Sequence, residues 1–356
     1  MMNTKNWCRL TVSLLLAFII FCVTVVCIID PFQIYHLAKW YIPPIDKTTQ
    51  VYSNAGIVKN YSYDSAIVGT SVTENFHPTY MDTRLGGHFI KLCTSAGTVH
   101  NHAVLLQRAF DTHSMNHIVY GLDIYSLVGA SDKLAYALPD YLYTDTVLDD
   151  AQYWFNRTVW GSFLPKCLKT WGRKQEDSIR DQMYNWAGQD DYGPVAMYNA
   201  VFDTPDYVYN PDAFLEQARL NLEINLLPFI KSHPETSFDI FFPPYSAAEW
   251  SNMESKGTLE ALLSLRLLCF DVLSPYNNVA LFDFSARDSW VLNINNYKDT
   301  THYGEWINDE ITDCIADADG SVSERSVIEC NNEKLRSWAH ALHEAGYWIF
   351  NLNESL

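Results

Sequence analysis

Positive charge is scarce in this chain: 24 Lys and Arg face 42 Asp and Glu, for a formal net charge of −18. The first 29 residues hold two of those cations, Lys5 and Arg9, and no acid, so residues 30–356 carry −20. So acidic a body argues against nucleic acid or anionic lipid as the main partner and leaves a neutral substrate, such as a sugar hydroxyl, unhindered. Cysteine is thin where a disulfide scaffold would need it. Of eight, Cys8, Cys22 and Cys27 fall in the N-terminal apolar region. The remaining five (Cys93, Cys167, Cys269, Cys314 and Cys330) are odd in number and irregular in spacing. That excludes a disulfide framework and leaves open a single pair such as Cys314–Cys330. Cys-x-x-Cys and other zinc spacings, internal repeats and low-complexity tracts are all missing. His100-x-His102 would suit a metal on a strand, but it falls at an expected helix start, where the two side chains diverge. His340 and His343 share a helix face and, with no acidic ligand placed beside them, read as bordering the core or solvent. No metal or cofactor is expected.

What the chain does have is one long apolar run. Leu10 to Ile29 is 20 residues without a charge, which at about 1.5 Å per residue spans the roughly 30 Å hydrocarbon core of a bilayer. It ends Val25-Val26-Cys27-Ile28-Ile29, with neither a small-x-small cleavage site nor the small residue before Cys27 that a lipoprotein site needs. Lys5 and Arg9 precede it, so the expected topology is a cytoplasmic tail over 1–9, an uncleaved anchor over 10–29 and the rest outside the cell. Residues 30–62 read as a juxtamembrane stalk, because Pro43-Pro44 stops any helix continuing from the membrane. Asn60-Tyr61-Ser62 and Asn156-Arg157-Thr158 match glycosylation sequons, which matter only in a eukaryotic secretory host.

From residue 63 onward strands and helices alternate. Ser65–Val68, His88–Cys93, Ile118–Asp123, Phe238–Phe242 and Val279–Phe284 are short apolar runs of the kind buried on both faces of a parallel sheet. Helices are expected from Ser71 to about Arg84, from Ala96-Gly97 to about Ser114, from Pro211 through Leu227, and over the long run Glu249–Leu273. An amphipathic tail, Asn331 to Ala345 with Leu335, Trp338, Leu342 and Tyr347, should pack against the sheet. The pattern predicts an α/β domain of three layers (αβα) with a five-stranded parallel sheet, and strand one at its centre. Between the third and fourth strands lies an insertion, about 127–210. From Tyr136 to Tyr209 it holds 16 aromatics in 74 residues, against 14% for the whole chain. It reads as an irregular helical cap, its aromatics forming either its own core or a platform for sugar rings. Asp149-Asp150 and Asp190-Asp191 read as solvated charges.

Two stretches carry chemistry. Gly69-Thr70-Ser71 follows the first strand and opens a helix, so Ser71 stands at the carboxyl edge of the sheet, where open α/β sheets bind ligands. Its N–H lies at a helix N-terminus, which favours a developing oxyanion. The competing role for such a serine is a plain helix cap. Asp299-Thr300-Thr301-His302 precedes the last helices, with Asp299 and His302 about one turn apart. Serine hydroxyl, imidazole and carboxylate are the groups acyl transfer needs; the alternative is that Asp299 caps a helix and His302 is a surface residue.

A Gly-x-Ser ending the first strand, with Asp-x-x-His before the last helices, resembles the SGNH/GDSL hydrolase superfamily, whose fold is flavodoxin-like. With the anchor, the chain resembles its DltD-like and cell-surface O-acetylation branch. Gly121-Leu122-Asp123, and Asn225-Leu226-Leu227-Pro228 leading into Phe241-Phe242-Pro243-Pro244-Tyr245-Ser246, add to the likeness. It implies Ser71 as nucleophile, His302 as general base, Asp299 as its orienting partner, and the N–H groups of Ser71 and Gly97 as oxyanion donors. The superfamily's asparagine after strand three is replaced here by Gly121-Leu122-Asp123, and Asp123 falls to a structural or substrate-positioning role. The implied function is a membrane-anchored extracytoplasmic serine O-acyltransferase or esterase. It would modify a cell-envelope polysaccharide or teichoic-acid-type polymer, with a multi-pass membrane O-acyltransferase as a partner. The alternative is a non-catalytic polymer-binding accessory to such an acyltransferase.

Overall fold

Segments that are apolar on both faces can be buried only by layers on both sides, and five such segments form the sheet. β1 (Ser65–Gly69), β2 (Phe89–Cys93), β3 (His117–Gly121), β4 (Ser237–Phe242) and β5 (Val279–Asp283) pair in the order β2-β1-β3-β4-β5, every pair parallel. The protein is therefore an α/β fold with a five-stranded all-parallel sheet. β3 holds the centre, not β1. All five residues of β1 and all five of β2 are buried, Lys91 among them. Helices Pro78–Leu85 and Glu305–Ala316 pack together; Val99–Thr112, Pro211–Asn225 and Leu259–Leu273 form a second row.

The structure, a computed structural model, describes residues 3–199 and 210–344 and divides into two compact units. The sheet unit comprises Ser62–Tyr136 and Arg180–Leu356, and the other joins Met1–Tyr61 to Ala137–Ile179. In the latter, helix Thr4–Ile29 is long and apolar enough to cross a membrane. Beyond it the expected stalk is instead folded. Phe32, Ile34, Ala38, Tyr41 and Ala55 share a buried cluster with Leu142, Tyr153, Phe163 and Cys167, and Gln50–Asn60 is a helix. Asp30 ends the membrane-length helix in a left-handed conformation. Its buried carboxylate accepts from the N–H groups of Ile34, Tyr35 and His36 at 3.0, 2.6 and 3.0 Å and from Tyr153 Oη at 2.9 Å. Most aromatics of 137–179 thus build this unit's own core, Tyr153 and Phe163 within it and Tyr141, Tyr143, Trp154 and Trp160 packed against it. Asp150, read as solvated, accepts from Tyr35 Oη at 2.8 Å and is buried.

Three other expectations shift for local reasons. The helix foreseen from Ser71 is a 3₁₀ turn, Ser71–Thr73, and a separate helix Pro78–Leu85, because Pro78 holds His77 in an extended conformation. The run from Glu249 splits into Ala247–Ser255 and Leu259–Leu273 at Gly257, whose φ of 66° favours glycine. The tail helix, Arg325–Glu344, packs on those two helices and reaches the end of β5 through Asn331, which donates to Asp283 Oδ2 at 2.8 Å. Cys314 and Cys330 are unpaired. Tyr347 and insertion residues 200–209, including Phe202, Tyr207 and Tyr209, lie outside the described residues.

One buried cation joins tail, helix and sheet. Arg266 donates to Asp283, at the end of β5, and to Asn332 Oδ1 at 2.6 Å, with its guanidinium 5.3 Å from the Phe242 ring centre. Removing the cation would leave the Asp283 carboxylate buried without its counter-charge. Arg266→Met is expected to cost about 3–5 kcal/mol of stability, and adding Asp283→Asn to recover part of it. Denaturant midpoints of the full chain check this. A single mutant as stable as the parent would show that the pair does not hold the tail.

Candidate active site

The turn after β1 sits low between neighbouring strands because two glycines make room. A Cβ on Gly69 would lie 2.6 Å from Thr73 Cγ2, and one on Gly121 would lie 2.5 Å from the same atom. Thr73 anchors there, its hydroxyl donating to Thr70 O at 2.7 Å. Ser71 is left at the carboxyl edge of the sheet, half-buried, and its N–H makes no hydrogen bond among the described residues.

The second stretch arrives from 231 residues away. Ser71 Oγ lies 2.6 Å from His302 Nε2. His302 Nδ1 faces Asp299, 2.7 Å from Oδ2 and 2.9 Å from Oδ1. Asp299 also accepts the N–H of Thr301 at 2.9 Å and of His302 at 2.8 Å, so its own loop folds around the carboxylate. With Nδ1–H donated to Asp299, Nε2 is the ring nitrogen free to accept a hydrogen bond from the Ser71 hydroxyl. Burial pushes the Asp299 carboxyl up, but the hydrogen bonds and charge of His302 outweigh it and hold the group down at about 2. Ser71, His302 and Asp299 therefore form one hydrogen-bonded line.

The other candidates stand differently. Gly97's N–H, assigned to an oxyanion, is spent on Thr94 O at 2.8 Å, where it closes the turn after β2. Asp123 is almost fully buried and works inward: it accepts from Thr70 Oγ1 and Tyr245 Oη, both at 2.6 Å, and from Tyr125 N at 2.9 Å. It thereby clamps the residue before Ser71 to the loop after β4. His100 and His102 diverge, to Asn225 Oδ1 at 2.8 Å and Tyr120 Oη at 2.7 Å. His340 has an acidic neighbour after all, Glu254, at 2.9 Å.

Several residues around the site were not singled out in the sequence. Glu249 is buried; Tyr125 Oη donates to it, as does Thr300 Oγ1 at 2.5 Å, which ties the Asp299–His302 loop to the loop after β3. Trp186 packs edge-on against His302 (ring centres 5.4 Å apart, planes at 89°) and donates Nε1–H to Ser71 O at 3.3 Å. Lys298 Nζ lies over that indole, 3.6 Å from the ring centre, and pairs with Asp190 at 2.9 Å. Lys91 holds Trp186's segment down. Its buried ammonium donates to Glu74 O, Asp181 O and Met183 O at 2.6, 2.8 and 2.9 Å. The aromatic excess of the insertion was the only sequence signal that covered Trp186; a buried Lys91 within an apolar strand was the signal for the brace.

No family model matches the chain, and no curated protein matches it. Among solved structures it is similar to a candidate platelet activating factor from Streptococcus pneumonia, at 10% identity over 77% of this chain and 92% of that one, with a TM-score of 0.40. It is also similar to a candidate acylhydrolase from Bacteroides fragilis, at 15% identity over 76% of this chain and 94% of that one, with a TM-score of 0.37.

Asp299 gives the fold a pH signature. Its folded-state value lies below the usual 3.8, so the stability it contributes is fully present above that value and is lost as the pH falls toward about 2. Asp299→Asn should lower stability at neutral pH and flatten its decline across that acid window. Chemical denaturation at a series of pH values reads both effects; an unchanged slope in the variant would mean that the loop does not hold the carboxylate ionised.

Proposed function

We propose that the chain is a membrane-anchored serine acyl-transfer enzyme, an esterase or O-acyltransferase, acting on acyl groups of a cell-envelope polysaccharide or teichoic-acid-type polymer. The observation that carries this is the line Ser71 Oγ–His302 Nε2–Asp299, with 2.6 and 2.7 Å separations. His302 takes the Ser71 proton as Oγ bonds to the acyl carbonyl carbon. The imidazolium formed is steadied by Asp299, and the oxyanion lies toward the Ser71 N–H. Collapse breaks the bond to the leaving alkoxide, which takes the proton from His302 and leaves an acyl-Ser71 ester. A sugar or polyol hydroxyl, or water, then gives its proton to His302 and attacks that ester, and the proton returns to Ser71. Transferase and hydrolase share these steps and differ in whether water reaches the ester.

Helix Thr4–Ile29 supports anchoring, and Lys5 and Arg9 before the apolar run support a cytoplasmic N-terminus with the body outside. The acidic body suits a neutral glycan better than nucleic acid. A multi-pass membrane O-acyltransferase is the partner that would deliver the acyl group to such an enzyme.

Ser71→Ala and His302→Ala should each remove most ester turnover, a thousandfold or more on the triad precedent, with the double mutant little worse because the groups act as a unit. Asp299→Asn should cost less, though still orders of magnitude. A fluorophosphonate should label Ser71 in the parent protein and not in Ser71→Ala. A folded parent that takes no label would sink the enzyme reading and favour a polymer-binding accessory.

A further inference from the structure

The chain is acidic overall, yet one segment reverses the sign. Residues 151–175 hold Arg157, Lys166, Lys169, Arg173 and Lys174 and not a single Asp or Glu. Arg157, Lys169, Arg173 and Lys174 are exposed and make no ion pair among the described residues, while Lys166 reaches Asp46 at 3.3 Å. The same segment exposes large apolar side chains: Phe155 is 44% exposed, Leu168 50% and Trp171 60%. Basic residues interleaved with exposed aromatics are the composition of a segment lying in a membrane interface.

Its position agrees. The segment packs on the last two turns of helix Thr4–Ile29, burying Cys22, Val26 and Ile29, and Trp160 meets Phe21 at 5.9 Å between ring centres. Every described residue of that helix before Cys22 is exposed. From Leu10 to Phe21 the helix rises only about 18 Å, and from Thr4 about 27 Å, both short of the roughly 30 Å hydrocarbon core. Lipid must therefore extend past Phe21 to the depth of the segment beside it. We propose that residues 151–175 form an interfacial membrane-binding surface, with Phe155, Trp160, Leu168 and Trp171 among the lipids and the arginines and lysines on anionic headgroups.

This rests on the anchor reading, and the test separates the two. The full chain, with Cys8→Ser and Cys330→Ser, is reconstituted into vesicles of phosphatidylcholine mixed with phosphatidylglycerol. A nitroxide is placed by Phe155→Cys, Leu168→Cys or Trp171→Cys, and at two reference sites, Leu16→Cys in the helix and Glu324→Cys in the sheet unit. Oxygen accessibility at the three test sites should be several-fold above that at Glu324 and near that at Leu16. Lipid-like values at Leu16 with water-like values at all three test sites would overturn the interface alone; water-like values at Leu16 as well would overturn the anchor and the interface together. Replacing Arg157, Lys169, Arg173 and Lys174 by Glu should reduce immersion in the mixed vesicles to that seen in pure phosphatidylcholine, and no change would overturn the headgroup assignment. Labels shielded only in native membranes, and water-like in vesicles, would mean that a protein and not lipid covers this face.

Discussion

A hydroxyl and an imidazole separated by 231 residues meet at 2.6 Å, and what makes that separation a property of the fold is a pair of buried carboxylates. Asp123 takes the hydroxyl of Thr70, immediately before Ser71, and joins it to Tyr245. Glu249 takes the hydroxyls of Tyr125 and Thr300, the latter within the histidine loop. The N–H of Tyr125 on Asp123 links the two halves. Ser71 and His302 are thus tied through backbone and buried hydrogen bonds that are costly to break. Burial pushes the Glu249 carboxyl up against the hydrogen bonds it accepts. A carboxyl kept there despite its desolvation points to positioning as its use.

Trp186 and Lys91 answer a second demand, that one wall of the site stay put. Trp186 touches both partners of the 2.6 Å contact, and Lys91 ties its segment, through the carbonyl oxygens of Asp181 and Met183, to that of Glu74 near the Ser71 turn. A flexible ammonium stem with three donors suits three carbonyl acceptors drawn from two segments. Burial lowers the Lys91 ammonium to about 8, while donation to three carbonyl oxygens favours its charged form.

The strands were legible in the sequence because a parallel sheet buried on both faces needs uninterrupted apolar runs, and Ala66-Ile67-Val68 and Phe238–Phe242 can hardly be read otherwise. Ser71, Asp299 and His302 could be singled out because each lies in a local motif, a strand-to-turn step or a one-turn loop. Gly97 was misjudged because nothing local shows that its N–H closes a turn on Thr94. Glu249, Tyr125 and Trp186 were illegible for a related reason: their partners are 51, 124 and 115 residues distant. The supposed stalk failed likewise. Pro43-Pro44 reads as punctuation, whereas Phe32 and Tyr41 find their packing partners in Tyr153 and Phe163, more than a hundred positions on.

The order in which the chain is made gives the sheet a history. β1, β2 and β3 are neighbours in sequence and in space, so the turn bearing Ser71 has its strands in place by residue 121. β4, β5 and the histidine loop come more than a hundred residues later. A growing chain would carry its serine hydroxyl through 231 further residues before the imidazole that meets it is made. On the proposed mechanism, Ser71 would gain its partner only once residue 302 is made and can fold back, and a product truncated before that point would lack activity.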